Sequence, residues 1–395
     1  MNKKIEFLDL GLQPLANYYL TKKTLNRTEK KYKLKICYSK QDKLISIKKT
    51  FSSKMMFNNN YPYRSSMSKT MTKSFKDLSR IIKKEYRPKK ILEIGSNDGS
   101  FIANFKKNQT IGIEPCANIE KITKKLKFNT YPEYWTKKLA IKIVKQNSKV
   151  DLIYSANTIS HIKDLNEVFR AINYVLNKDG ILILEDPSLL ECLKRNTYDQ
   201  FYNEHIYVFS AIALDNILKK HDLKIFKISK LAVHGGSNRY FIKKKINKKK
   251  IHISVLKHKK EELLNGLNKL SCYKKFAVRV QNSKNLLIKI FNDLKNKNKK
   301  IIGYGATAKS TTILNYCKID QKIIDYFLDT TKDKQNKFTP GTKIPIFKYN
   351  GYIKDNVDYI FLGAWNFRDE IFEKEKKFIN RGGKFIIHTP KPRIL

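Results

Sequence analysis

Cysteine is scarce in this 395-residue chain, with five residues (Cys37, Cys116, Cys192, Cys272, Cys317) and no CxxC pair. Such scattered thiols do not form a disulfide framework and read as reduced packing residues of a cytoplasmic protein. No run of about 18 apolar residues occurs, which excludes a membrane-spanning helix. Residues 1–6 are not followed by an uninterrupted apolar stretch, so no signal peptide is expected. Acidic residues are also few: 35 Asp and Glu stand against 82 Lys and Arg, for a net charge of +47. Such charge raises affinity for phosphate in general. The lysines, however, are spread over the whole length beside abundant Ile and Asn, as an A/T-rich coding bias would produce. The densest runs, 243–250 and 295–300, fall between apolar segments and read as solvated linkers. What remains, 41% hydrophobic and 12% aromatic residues, describes a globular chain long enough for two or three cored domains.

Four regions follow from the patterning. Residues 1–75 are mixed, with an apolar start, a basic middle and a Tyr/Ser/Met-rich end. Over 76–245 helices and strands alternate: helix 74–84, strands at Ile91 and Ile111, helix 135–146, strand 150–155, helix 165–176 and strand 180–184. That rhythm predicts an α/β domain with a parallel sheet and crossover helices. Over 246–299 a helical linker is expected, because Leu256, Leu263, Leu264, Leu267, Leu270, Val278, Leu286, Leu287 and Ile290 recur at helical spacing. Residues 300–395 begin a second α/β unit, with strands at 300–304, 323–328, 359–362 and 384–387.

The stretch Ile91-Leu92-Glu93-Ile94-Gly95-Ser96-Asn97-Asp98-Gly99-Ser100 reads as a buried strand broken by a Gly/Ser/Asn/Asp turn. Ser100 is placed to cap a helix starting at Phe101. Nineteen residues beyond Gly95, a second strand ends in Glu114. Glycine in such a turn admits close backbone approach by a ligand, and a carboxylate at the end of the second strand suits ribose hydroxyls. A dinucleotide fingerprint needs a second glycine where Asn97 stands, so a pyrophosphate fits poorly. The second unit opens Gly303-Tyr304-Gly305-Ala306-Thr307-Ala308-Lys309-Ser310, which fits GxGxxA with Asp329 some 24 residues on, and nearly fits a P-loop except for Ala308. A glycine-rich turn aimed at phosphate, with Tyr304, Gly305 and Lys309, suits a nucleotide-containing substrate.

Phe201-Tyr202-Asn203-Glu204-His205-Ile206-Tyr207 compresses phenols, a carboxylate and an imidazole into seven residues after the fourth strand, where loops line a ligand crevice. Proton abstraction beside a carbonyl requires such groups: a base, its orienter and hydroxyl donors for an enolate oxygen. His161 follows the third strand, and His234 precedes Gly235-Gly236-Ser237, a turn suited to close backbone approach.

The acidic first strand (Glu93), the turn Gly95–Gly99 and the acid Glu114 resemble the S-adenosylmethionine site of a class I methyltransferase. Read in order, further motifs extend the resemblance over nearly the whole chain. They are LGLQPLAN (10–17), EIGSNDGSF (93–101), IGIEPCAN (111–118), YNEHIYVFS (202–210), HGGSNRYF (234–241), GYGATAKSTTILNYC (303–317), PGTKIPI (340–346) and AWNF (364–367). Together they resemble the sugar C-methyltransferases acting on nucleotide-linked deoxysugars. That resemblance implies an N-terminal zinc-binding-like lobe (1–75), a class I S-adenosylmethionine domain (76–245) and, after the helical linker, a C-terminal Rossmann-like domain (300–395) without nicotinamide. It implies methylation of carbon on a 4-keto deoxysugar nucleotide, serving glycan or capsule-like polysaccharide synthesis. Cofactor contacts would come from Glu93, Gly95, Ser96, Asn97, Asp98, Gly99, Glu114, Pro115 and Asn157. His205 would be the base with Glu204 beside it, and Tyr202, His161 and one of Tyr61 or Tyr63 would line the sugar pocket. Tyr207, His234, Gly235, Gly236, Ser237, Tyr304, Gly305 and Lys309 would hold the substrate.

The chain departs from that pattern in the lobe, where relatives hold zinc with two CxxC pairs and only Cys37 remains. Closed zinc sites need about four ligands, so the metal is expected to be lost. Two rival readings are an inactive homologue that keeps binding and a nucleic-acid methyltransferase. The second lacks an NPPY-like base-flipping motif and a basic cluster interleaved with aromatics, so no specific nucleic-acid partner is expected.

Overall fold

A computed structural model describes residues 4–59, 61–354 and 356–395. The chain opens with an antiparallel meander, β1 (Lys4–Gln13), β2 (Tyr32–Ser39) and β3 (Ile45–Ile47), then the one-turn α1 (Ser53–Met56). Exposed Asp9 stands between buried Leu8 and Leu10, the period of a strand with one wet face, and a bulge between Glu6 and Leu8 leaves Glu6 exposed as well. Cys37 is buried in β2 opposite Ser46, and among the described residues no group of three or more His, Cys, Asp or Glu side chains is placed to hold a metal ion.

Helix α2 (Lys69–Ile81) begins five residues before the expected start, because the Ser68 side chain accepts the Met71 N–H at 3.2 Å and caps it. The central unit then runs β4 (Ile91–Ile94), β5 (Thr110–Ile113), α3 (Ala117–Lys125), β6 (Thr130–Tyr131), α4 (Lys137–Asn147), β7 (Val150–Ala156), α5 (Leu165–Val175), β8 (Leu176–Pro187), α6 (Leu189–Arg195), β9 (Tyr207–Val208), α7 (Ala211–Lys219), β10 (Leu223–Leu231) and β11 (Ser237–Lys244). Seven of these strands form a sheet in the order β10-β11-β8-β7-β4-β5-β6. All neighbours are parallel except at β11, which runs antiparallel to both β8 and β10. Strand β9 leaves this sheet and pairs with β3, so the meander takes its fourth strand from the segment beside His205.

Three expectations are corrected here. No helix follows Ser100: only a 3-10 turn forms at Ile102–Asn104, because the Asn104 amide donates to the Ser100 and Phe101 carbonyls and displaces the backbone ladder. The run 243–250 is not wholly a solvated linker: Lys243 belongs to β11 and is buried, its ammonium donating to the Asn247 and Lys249 carbonyls. The linker forms the expected helices, α8 (Ile253–Leu264) and α9 (Leu270–Asn296), but only part of the apolar stripe is buried: Leu267 and Leu287 are, and Leu270 and Ile290 pack against the core. Leu256, Leu263, Leu264 and Val278 are exposed, while Tyr273, Phe276, Val280, Leu287 and Phe291 form the seam. The aromatics bury more area per residue and take the inner positions.

The C-terminal unit comprises β12 (Ile301–Tyr304), α10 (Ala308–Cys317), β13 (Phe327–Asp329), β14 (Lys337–Phe338), β15 (Pro345–Lys348), β16 (Tyr359–Leu362), α11 (Arg368–Lys374), α12 (Lys376–Asn380), β17 (Lys384–Ile387) and β18 (Arg393–Ile394). Its sheet order is β14-β15-β13-β12-β16-β17-β18, parallel from β15 to β17. One hydrophobic core joins β1–β3, α9 and this unit; a second fills the α4/α5 face of the central sheet. Among the described residues no helix is long and apolar enough to cross a membrane.

Candidate active site

In both sheets the chain reverses direction of growth beside the first strand, at β4/β7 and at β12/β16. Ligand crevices open at such switch points, beyond the carboxyl ends of the strands. A single cavity of about 650 Å³ joins the two, walled by the loops after β4, β5, β7, β12 and β13 and by residues 61–65.

The central-sheet half is built around the turn after β4. Gly95 takes φ +75°, and a Cβ there would lie 2.1 Å from Thr158 Oγ1, so no side chain fits. Glu114, at the end of β5, accepts the Asn97 N–H at 3.0 Å and the Cys116 N–H at 2.8 Å. Glu93, one residue before the end of β4, leaves Oε2 unpartnered, and burial, then Asp98, hold its carboxyl well above the usual range. Asn157, at φ +50°, closes the end of β7. Glu93, Gly95, Asn97, Glu114, Pro115 and Asn157 all line the cavity. An orphaned carboxyl oxygen, a turn with no room for Cβ and a carboxylate at the second strand fit S-adenosylmethionine.

The chemical half centres on His205. The Gln200 carbonyl lies 2.8 Å from Nδ1 and can only accept, so Nδ1 carries the proton. Nε2 is therefore the basic nitrogen, and it takes the Tyr202 hydroxyl hydrogen at 2.6 Å. Burial, then His161, Lys309 and His234, push this imidazole well below its ordinary value. His161 stacks between Phe57 (5.4 Å between centroids) and His205 (5.0 Å), with Nε2 unpartnered and its value lowered to about 3 by burial. Tyr61, Tyr63, Tyr202 and His234 complete this wall.

The C-terminal wall is cationic. Lys309, at the start of α10, donates to the His234 carbonyl at 3.3 Å, and among the described residues no carboxylate comes within 4.0 Å of it. Lys334 donates to the Ala306 carbonyl at 2.8 Å and lies 3.6 Å from Asp329. Asp329, where a nicotinamide-type fold offers its ribose carboxylate, is occupied by the Ala306 and Thr331 N–H groups.

Several expected residues stand outside the cavity lining. Ser96 packs on Gly112, and Gly99 on Thr123. Asp98 accepts the Ser66 N–H at 3.0 Å, while Asn97 accepts that of Ser65 at 2.9 Å and donates to the Tyr63 carbonyl. These two residues thus fasten residues 63–66 over the turn. Glu204 faces Asn17 and Tyr61 instead of the cavity, and the Tyr207 hydroxyl donates to the Lys163 carbonyl. Gly235 abuts Trp365, Gly236 abuts Glu191, and the Ser237 hydroxyl donates to the Val233 carbonyl. Conversely, Asn17, Phe57, Arg64, Gln200 and Lys334 line the cavity without having been singled out. Asn17 lay within the LGLQPLAN motif; the other four carry no local signal.

Residues 63–228 match the family described as a methyltransferase domain, and residues 232–390 match the C-methyltransferase C-terminal domain. The chain is 29% identical over 307 residues to the C-methyltransferase NovU of Streptomyces niveus, covering 77% of this chain and 73% of that one. Among solved structures it is similar to an S-adenosylmethionine-dependent methyltransferase of Thermotoga maritima (21% identity, 45% of this chain and 89% of that one, TM-score 0.34). It is also similar to the CurJ carbon methyltransferase (12%, 45% and 56%, TM-score 0.33). The strand order, not these scores, defines the fold. With its single antiparallel strand, the central sheet is the class I methyltransferase arrangement, and the two matched domains with the C-methyltransferase relative make the chain an S-adenosylmethionine-dependent methyltransferase. Its second matched domain and its curated relative are both of the carbon-methylating kind.

Proposed function

We propose that this enzyme methylates a carbon next to the ketone of a nucleotide-linked 4-keto deoxysugar, in the cytoplasm. The observation that carries the reading is the His205 imidazole, held with Nε2 basic between Tyr202 and His161 in the cavity that Glu114 and Lys309 share. A neutral imidazole can accept a proton, and phenols beside it can donate to an enolate oxygen. As the Tyr202 hydroxyl turns from Nε2 to the substrate oxygen, Nε2 is freed to take the proton from the adjacent carbon. The C–H electrons move into the enolate, the carbon accepts a methyl group, and the ketone re-forms. S-adenosylmethionine, when bound, would supply that methyl as an electrophile, the S–CH3 bonding pair staying on sulfur as the thioether of S-adenosylhomocysteine; Glu93, Gly95, Asn97, Glu114, Pro115 and Asn157 would hold it.

The field of Lys309 is one cause of the low basicity of His205. A diphosphate beside Lys309 and Lys334 offsets that field, so the base strengthens when the anionic substrate arrives. Glu204 acts by holding Tyr61 and Asn17.

In heavy water, wild-type enzyme exchanges deuterium at the carbon next to the ketone of a nucleoside-diphosphate-linked 4-keto-6-deoxyhexose. His205→Asn lowers that exchange by ~10²–10⁴-fold, the contribution of a positioned base. Methylation on oxygen or nitrogen, or full activity in His205→Asn, refutes the assignment.

A further inference from the structure

We propose that Asp199 is a positioning residue for the methyl-transfer reaction: anchored to the C-terminal unit, it fixes the carbonyl that sets the tautomer of His205. This rests on the reading of His205 as the base. Asp199 lies in the 3-10 turn Tyr198–Gln200 and is fully buried. Its Oδ2 accepts the Trp365 indole N–H at 2.6 Å, and His388 Nε2 lies 3.3 Å from the same oxygen. Trp365 follows β16 and His388 follows β17, so both partners belong to the C-terminal unit.

The next residue carries the other half of the linkage. The Gln200 carbonyl accepts the His205 Nδ1–H, and the Gln200 amide donates to the His234 carbonyl at 2.9 Å, which also receives Lys309. Gly235 makes the contact between units possible: at φ +85°, a Cβ there would lie 2.1 Å from the Trp365 ring. The indole therefore lies directly on the turn that follows His234, with its N–H aimed at Asp199.

A carboxylate without water is costly unless paired. Burial alone would raise Asp199, yet His388, Lys309 and the Trp365 N–H hold it below its ordinary value. It is thus an anion at neutral pH that also offsets Lys309 in the cavity wall. At the other end of the same segment, Glu204 is fastened to Asn17 of the N-terminal lobe. The base sits on a short segment pinned to a different unit at each end. Release of the Asp199 end lets the Gln200 carbonyl move, and with it the reason for Nδ1 to carry the proton.

The test uses full-length protein with ¹⁵N-labelled imidazoles, bound to S-adenosylhomocysteine. Asp199→Asn keeps an oxygen for the Trp365 N–H and removes the charge; Trp365→Phe keeps an aromatic ring, smaller than the indole, and removes the donor. Both are expected to bind S-adenosylhomocysteine like wild type, while the His205 nitrogen shifts move from a single Nδ1–H tautomer to a mixture. With thymidine- and uridine-diphosphate-linked 4-keto-6-deoxyhexoses, kcat falls about 10–100-fold with KM little changed. An unshifted tautomer, an unchanged kcat, or a loss of kcat matched by loss of cofactor affinity overturns the proposal. Failure of both variants to fold makes Asp199 structural and overturns it as well. If wild type shows no exchange at all, the reading of His205 as base falls, while the tautomer measurement still judges Asp199 separately.

Discussion

Glu204 and Asn17, 187 positions apart, are joined by a 2.8 Å hydrogen bond from the Asn17 amide to the Glu204 carboxylate. The Tyr61 hydroxyl donates to the other oxygen at 3.4 Å. The acid next to the base in sequence therefore serves the walls of the cavity, not the proton transfer.

That placement gives a pH signature. Burial raises the Glu204 carboxyl to about 7. A folded value above the unfolded one favours the protonated form, so its stabilisation is complete below about pH 4.3 and is lost as the pH climbs through 7. Glu204→Gln removes this slope. Denaturant unfolding is expected to show the variant gaining about 2–3 kcal/mol relative to wild type between about pH 5 and about pH 8. A pH-independent difference contradicts the burial of an ionisable group there.

Glu114 supports the cofactor turn through two backbone N–H groups. Glu114→Ala is expected to weaken S-adenosylhomocysteine binding by roughly 1–3 kcal/mol in calorimetry. Wild type that binds none ends the cofactor assignment.

Gly235→Ala combines a positive φ with a Cβ 2.1 Å from the Trp365 ring. The expected cost is about 1–3 kcal/mol, read as a lower Tm. Adding Trp365→Ala relieves the clash but not the backbone term, so the double variant recovers part of the deficit relative to Trp365→Ala alone. Full additivity of the two losses contradicts the contact.

The glycine-rich turn after β12 is not expected to serve a nicotinamide, because Asp329, unlike Glu114, also faces an ammonium, that of Lys334 at 3.6 Å. Titration with NADH is expected to give no saturable fluorescence transfer; saturation contradicts this. Elemental analysis is expected to find well under one zinc per chain, and a stoichiometric amount means the lobe has ligands outside those recognised.

Much of the fold was legible because its signals are local. The apolar run 91–94, the glycine turn and Glu114 were read as strand, turn and strand, and strands β16 and β17 carry the expected bounds 359–362 and 384–387. The helix expected after Ser100 was not legible, since Asn104 side-chain bonding, not periodicity, ended it. The spacing of apolar residues over 256–290 marks two helices but not which face meets a neighbour: Leu267 and Leu287 are buried, Leu256, Leu263, Leu264 and Val278 are exposed, and the aromatics of α9 pack against the lobe and β12–β17.

The sequence by itself determined the order of elements, the glycine-turn geometry and the set of acids, phenols and imidazoles, because each depends on a few consecutive residues. Only the tertiary structure decided their roles. Glu204 and His205 are adjacent on an irregular turn, where no fixed period dictates the direction of a side chain. Their partners, Asn17 and the Asp199–Trp365 linkage, lie 187 and 166 positions across the contacts. Burial, which sets the protonation state of each group, exists only after the three units have closed around one cavity.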